Sequence, residues 1–375
     1  MKHFCFISSF NRVGQPILYR QARSLVDSGY EVSIIFNDGH PDEVIDGINV
    51  YGSGITVKGY WGRIRKGPIA LYKKARKLNA DIYQTCDIEN IVTCLLLRRF
   101  GKRIVFDLLE NHPYSLLEKS NYLPLINKIV LIPFIMVMKY GLRRFDLVFA
   151  VTNDIATYLK EWGISNVRLF ANYPQVNDNF SLSFEEYNSR EDRIIYFGLI
   201  YYISRQDVFL DALDRSKGVK YLLAGIFSDG KDSSYQSTVM SKPAWSRVEF
   251  IEGFRRDELP KLLARCTISN VLRDFSSMKG CENGSMGVVK IFESMEAGLP
   301  IICSDVPVYR ELMKKYKCGL LVDPLNPDEI SNAISYLVHN KEQAYKMGQE
   351  GRRAVLEEYN WDKEFSKYLT DINGL

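Results

Sequence analysis

A chain of 375 residues, 46% hydrophobic and 25% charged, is too long for one ordinary core and too apolar for a disordered segment. Two packed domains are expected. A formal net charge of +4 demands no nucleic-acid partner, and no recognised nucleic-acid motif accompanies the local basic clusters.

Seven cysteines without a CxxC pair, and four scattered histidines without ligand spacing, predict buried reduced thiols and no metal site. The first apolar run, Phe4 to Ile7, is too short for a secretion signal. The longest, Ile129 to Met138, contains Pro133 and has about half the roughly twenty residues that a membrane span needs. A cytoplasmic protein is expected.

In chain order, His3–Ser8 reads as a short strand and Ser9–Pro16 as a polar loop with Gly14. Ile17–Ser28 has helical spacing, with Leu18, Ala22 and Leu25 on one face and Gly29 as its stop. Tyr30–Phe36, Ile82–Thr85, Arg103–Asp107 and Leu147–Thr152 read as strands, separated by helices such as Ala70–Leu78 and Ile91–Phe100. Asn172–Arg190 is polar, contains Pro174 and reads as an interdomain linker. Alternation then restarts. Strands are expected at Ile194–Phe197, Tyr221–Ala224, Val248–Ile251, Thr267–Val271, Pro300–Ser304 and Gly319–Val322, with helices at Asp257–Arg265, Val289–Ala297 and Asp328–His339. The fold class is therefore α/β, two doubly wound Rossmann-like domains with ligand sites at the carboxyl ends of their strands, facing across a cleft.

The stretch from Gly284 to Ile302 carries the most chemistry. Gly284, Ser285, Met286, Gly287 and Val288 form a Gly/Ser loop that opens a helix bearing Lys290 and Glu293. Glycines admit close backbone approach, and a helix N-terminus offers free N–H groups to a diphosphate. Lys290 and Glu293, three apart, share one helix face, so a cation for phosphate and a carboxylate for ribose hydroxyls are both available. An ordinary βα turn with a surface Lys–Glu pair has the same spacing.

The run Lys290–Pro300 resembles the C-terminal motif of the GT-B glycosyltransferases of family 4, the glycogen-synthase-like retaining enzymes. Other stretches agree in order. Arg193–Gly198 followed by Arg205 resembles the first strand and phosphate-binding arginine of their donor domain, and Leu222–Gly225 resembles the next core strand. Val248–Gly253 resembles the strand before the nucleotide base, and Tyr359–Trp361 the C-terminal helix region. Thr85–Glu89 and Phe106–Glu110 resemble two motifs of members that build surface polysaccharides.

The resemblance implies transfer of a sugar from a nucleotide-sugar donor, with retention at the anomeric carbon. It implies no metal and no cofactor, the donor being a substrate, with UDP-sugar favoured over GDP-sugar. No Asp-x-Asp occurs in the chain. The acceptor would be a saccharide or a lipid-linked saccharide. The implied organisation is an acceptor-side domain at residues 1–172, a donor domain at 173–356, and a C-terminal helix at 357–375 packing back on the first domain.

Residue by residue, Arg205 and Lys290 are expected on the diphosphate and Glu293 on the ribose. Gly198, with Gly284 to Val288, completes the donor site. Lys290 would replace the Lys that family members carry a few residues after Arg205. Gly14 either brings the first domain's backbone to the donor or makes a tight turn. Asp87 and Glu110 either orient the acceptor or the transferred sugar, or cap the helices that follow. Three positions depart from the family pattern. The first Glu of its Glu-x7-Glu motif falls at Ser285, and the histidines often found before Asp87 and Glu110 are Cys86 and Leu109.

Arg63, Arg65, Lys66, Lys73, Lys74, Arg76 and Lys77 cluster around Tyr60, Trp61 and Tyr72, and the apolar stretch Leu123–Met138 is followed by Lys139, Arg143 and Arg144. Such composition suits peripheral docking on an anionic membrane, and equally a solvated basic helix beside a core helix. Two alternatives to a transferase stay open: a non-hydrolysing nucleotide-sugar epimerase, and a non-catalytic nucleotide-sugar-binding partner. A dinucleotide dehydrogenase is excluded because Gly14 sits in no GxGxxG turn.

Overall fold

The computed structural model describes residues 2–10, 12, 16–57, 62, 64–109, 124–177, 180, 182–228, 234–278 and 281–375, except for the side chains of residues 124–131 and 134. The chain divides into two compact units: Met1–Asn172 with Glu364–Leu375, and Tyr173–Lys363.

The first unit holds eight strands among the described residues: β1 (His3–Ser8), β2 (Glu31–Phe36), β3 (Glu43–Ile45), β4 (Ile48–Gly52), β5 (Ile82–Thr85), β6 (Arg103–Leu108), β7 (Leu147–Ala150) and β8 (Val167–Leu169). Their order is β3-β4-β2-β1-β5-β6-β7-β8, parallel except for the β3–β4 hairpin. Helices α1 (Pro16–Asp27), α2 (Gly67–Leu78), α3 (Ile91–Arg98), α4 (Pro124–Leu142) and α5 (Asn153–Glu161) belong to it. The middle strands are buried on both faces, which is why they read as continuous apolar runs. β1 has β2 on one side and β5 on the other, so the strand order reverses between β1 and β5. The chain's last helix, α14 (Trp361–Asn373), crosses the division between the units. Its Tyr368 stacks on Phe170, with ring centroids 4.6 Å apart, and donates to Gln84 at 2.6 Å.

The second unit has six parallel strands among the described residues: β9 (Arg193–Ile200), β10 (Lys220–Phe227), β11 (Val248–Glu252), β12 (Ile268–Asn270), β13 (Ile301–Ser304) and β14 (Gly319–Val322). The order β11-β10-β9-β12-β13-β14 is that of a Rossmann sheet, with the switch point between β9 and β12. Helices α6 (Phe184–Ser189), α7 (Gln206–Arg215), α8 (Ser234–Met240), α9 (Leu259–Leu263), α10 (Val289–Glu296), α11 (Pro307–Tyr316), α12 (Pro327–His339) and α13 (Lys341–Glu357) cover it.

Two expectations need correction. The stretch expected as a linker contains α6, started by a capping box in which Ser183 and Glu186 satisfy each other's backbone N–H. Buried Tyr187 ties α6 into the core by donating to the Thr267 carbonyl at 2.9 Å. Three strands were not foreseen, β3, β4 and β8. The β3–β4 turn is Asp46-Gly47, both residues at positive φ (49° and 79°), as a two-residue hairpin turn requires.

Candidate active site

In the second unit, the loops at the switch point bring three cations together. Arg205 follows β9, Arg273 follows β12, and Lys290 lies in the first turn of α10. The Lys290 amine sits 3.7 Å from the centroid of the Tyr196 ring. Gly198, at φ 104°, leaves the end of β9 without a side chain where that amine passes; a Cβ there would lie 3.7 Å from Nζ.

Desolvation is the main cause of a Lys290 pKa lowered to about 7; the nearby Arg273 adds to it and Glu293 opposes it. Arg273 faces the rings of Tyr201 and Phe275, at 5.5 and 5.8 Å, and donates to the Met278 sulfur at 3.3 Å. Neither Lys290 nor Arg273 has a carboxylate ion-pair partner among the described residues. With Tyr196, Tyr201, Ser204 and Val288 they line one small pocket.

Arg205 occupies the left-handed region (φ 47°), unusual for a residue with a side chain, and stands just before the first residue of α7. Its guanidinium donates twice to Asp274, at 3.1 and 2.6 Å, which fixes its direction. Burial pushes the Asp274 carboxyl up, but hydrogen bonds from Ser276 and Arg205 outweigh it and hold the group below its usual range.

The Gly/Ser loop is built to leave a helix end open. Buried Gly284 has φ 89°. Ser285 accepts from the Gly287 N–H at 3.1 Å, and its carbonyl accepts from Tyr309 at 3.0 Å. Met286 and Gly287 are half-buried, and Val288 precedes α10 with no side-chain cap. The N–H groups of Val289 and Lys290 therefore remain available for an anion, while that of Ile291 donates to the Val288 carbonyl at 3.1 Å. Glu293 is buried on α10 and ion-paired to the largely exposed Arg256. One turn on, burial raises the Glu296 carboxyl to about 7, although it accepts from the Asn177 N–H.

In the first unit the switch point carries carboxylates. Asp87, at the end of β5, is buried and accepts from the Ser9 N–H at the end of β1. It makes no side-chain cap to the turn after it, so helix capping does not account for it. Asp107, at the end of β6, is buried. It accepts from Gln21 at 2.9 Å through one oxygen, while the other has no partner among the described residues. Burial raises it to about 7. Gln21 in turn accepts from Gln84 at 3.2 Å. Asp107, Gln21, Gln84, Thr85 and Cys86 are among the residues lining a cavity of about 90 Å³. Gly14 and Glu110, with Tyr60, Trp61, Arg63 and Leu123, lie outside the described residues. Among the described residues, no group of three His, Cys, Asp or Glu could hold a metal ion.

The description "Glycosyl transferases group 1" matches residues 180–354, and "Glycosyltransferase Family 4" matches residues 16–178. The chain belongs to the GT-B glycosyltransferases with these two domains. Sucrose-phosphate synthase from Thermosynechococcus elongatus shares the fold at TM-score 0.77 and 16% identity, over 100% of this chain and 99% of that one. HepE from Anabaena, solved with UDP, superimposes at TM-score 0.71 and 14% identity over 100% of both chains. By sequence, the glycosyltransferase is 28% identical over 128 residues to a GDP-mannose-dependent alpha-(1-6)-phosphatidylinositol monomannoside mannosyltransferase of Mycobacterium tuberculosis. That match spans 34% of this chain and about a third (32%) of the mannosyltransferase.

Four residues described above were not singled out from the sequence: Arg273, Arg256, Glu296 and Asp107. Arg273 carried a usable signal, since a charged residue directly after a core strand of a doubly wound sheet lies at the ligand-binding end.

Proposed function

We propose that the protein is a retaining, metal-independent glycosyltransferase that takes its sugar from a nucleoside-diphosphate sugar, a UDP-sugar in preference to a GDP-sugar. The observation behind this reading is the pair Lys290 and Arg273, two neighbouring cations without a carboxylate partner beside an uncapped helix start. Such a pair lacks only an anion. A donor diphosphate would supply it, held by both side chains and the first N–H groups of α10.

Arg205, fixed by Asp274, faces the negative charge that grows as the sugar–phosphate bond breaks. Glu293 accepts from the ribose hydroxyls and exchanges Arg256 for them. The leaving phosphate takes the acceptor's proton on the same face, which gives retention without a histidine base. The acceptor is a saccharide or lipid-linked saccharide of a surface polysaccharide, oriented from the first unit by Asp87. The reaction would then run at the inner face of a membrane.

Calorimetric titration with UDP-glucose, GDP-mannose, UDP and GDP tests the reading on the wild type and on Arg273→Ala. At a hundredfold excess over the dissociation constant, a bound donor adds about 2.7 kcal/mol of stability. Binding by the wild type and its loss in Arg273→Ala are expected. Absence of binding by all four ligands removes the proposal. Incubating the wild type with donor alone excludes epimerisation when the sugar is recovered unchanged.

A further inference from the structure

Helices α3 and α4 of the first unit expose an apolar surface for which the transfer reaction has no use. On α3, Ile91, Cys94 and Leu97 are buried, whereas Val92 and Leu96 form an outward stripe one turn apart, 53% and 36% exposed. On α4, Met138 and Leu142 are buried, whereas Met136 and Tyr140 point outward, 65% and 53% exposed. α4 is thus apolar on both its inner and its outer side, a pattern found where a helix also meets an apolar medium. Gly141 lets the two helices close up, since a Cβ there would lie 2.4 Å from Ile91. The groove left between them, about 470 Å³, is lined in part by Val92, Leu96, Arg99, Tyr140 and Arg144.

The charge on this surface has one sign. Residues 91–102 and 124–145 contain seven Lys and Arg and no Asp or Glu. Asp146 is the nearest acid in sequence to follow, and it is already engaged by Arg98 and Arg103, at 2.8 and 2.9 Å. Arg99 and Arg144 have no ion pair among the described residues. The Arg144 guanidinium lies 3.5 Å from the Tyr140 ring centroid, beside the apolar stripe.

We propose that this α3–α4 surface docks the protein on an anionic lipid bilayer. Val92, Leu96, Met136 and Tyr140 would enter the headgroup layer, with Arg99 and Arg144 on lipid phosphates. No helix is long and apolar enough to cross a membrane among the described residues. A protein partner would have to cover the same apolar stripe with an acidic rim, whereas an anionic bilayer supplies both components at once. Each cation contributes about fivefold to partitioning at low salt. The inference is independent of the donor reading, because neither helix carries a residue assigned to the donor.

The test is co-sedimentation of the full chain with phosphatidylcholine vesicles and with phosphatidylcholine–phosphatidylglycerol vesicles. Binding to the mixed vesicles alone is expected. Arg99→Glu with Arg144→Glu should reduce it more than twentyfold. Leu96→Ser with Met136→Ser should reduce it while melting as the wild type does, and Lys217→Glu in the second unit should leave it unchanged. No binding by the wild type overturns the proposal, as does equal binding by all variants. Sedimentation velocity supplies a further arm: a dimer dissociated by Arg144→Glu, together with no vesicle binding, would assign the surface to a second copy instead.

Discussion

The two units solve the same topological problem with opposite charge. Each has a parallel sheet whose strand order reverses at its first strand, β1 in one and β9 in the other, and each places ionisable side chains in the loops after that point. After β9 and β12 the residues are Arg205, Arg273 and, through α10, Lys290. After β5 and at the end of β6 they are Asp87 and Asp107. The backbone of a doubly wound sheet offers the same carboxyl-end crevice in both cases. The side chains differ in what they call for: Lys290 and Arg273, without a carboxylate ion pair among the described residues, suit an anion, whereas buried carboxylates suit groups that donate hydrogen bonds, such as sugar hydroxyls.

The comparison breaks most sharply at Lys290. Lys290→Met should lower UDP-glucose affinity by about a hundredfold in calorimetry, the order expected when one charge of a desolvated charge pair is removed. The same variant should melt higher than the wild type without ligand, because a desolvated amine has been replaced by an apolar chain. A loss of affinity together with a lower melting temperature would show that the amine serves packing.

A smaller effect is set by protonation. On the proposed reading donor binding needs the charged amine, and that charge is lost as pH rises through about 7. UDP-glucose has no phosphate group titrating in this range, so its affinity should fall by about tenfold per pH unit above that point. In Lys290→Arg the profile should be flat. A wild-type affinity constant from pH 6 to pH 9 would refute the assignment.

The smallest effect is in the first unit. The folded-state pKa of Asp107 is raised to about 7, above its unfolded value, so its contribution to stability is greatest at low pH and is lost as pH rises through 7. Asp107→Asn should therefore stabilise the protein at pH 8 by about 1 kcal/mol or more and leave it nearly unchanged at about pH 3, below the unfolded pKa, as read by urea denaturation. Equal effects at both pH values would mean that the folded carboxyl titrates as it does in the unfolded chain.

Most of the fold was legible because parallel strands buried on both faces leave unbroken apolar runs, as at Ile82–Thr85 and Ile301–Ser304. The β3–β4 hairpin was not read, although Asp46-Gly47 stands between Val44-Ile45 and Ile48-Asn49-Val50, because the run is short and half-exposed and carries a weak periodic signal. α6 hid inside a polar stretch because its stability rests on one buried tyrosine and a capping box rather than on an apolar face. In the site, Lys290 and Glu293 were readable from their shared helix face. Arg273 and Asp107 were not singled out, because each acquires its meaning from a neighbour more than sixty residues away in sequence: the Tyr201 ring beside one, Gln21 beside the other. The alternative that Asp87 only caps a turn failed for the same reason. Its partner is the Ser9 N–H, supplied by a strand adjacent in space.

The low proton affinity of Lys290 also has a calorimetric signature. On the proposed reading, above about pH 8 an empty site holds a largely neutral amine and a filled one an ammonium, so each binding event would draw a proton from the buffer and each release return it. The apparent heat of binding should then vary with the ionisation enthalpy of the buffer chosen. The slope of that dependence counts the protons taken up.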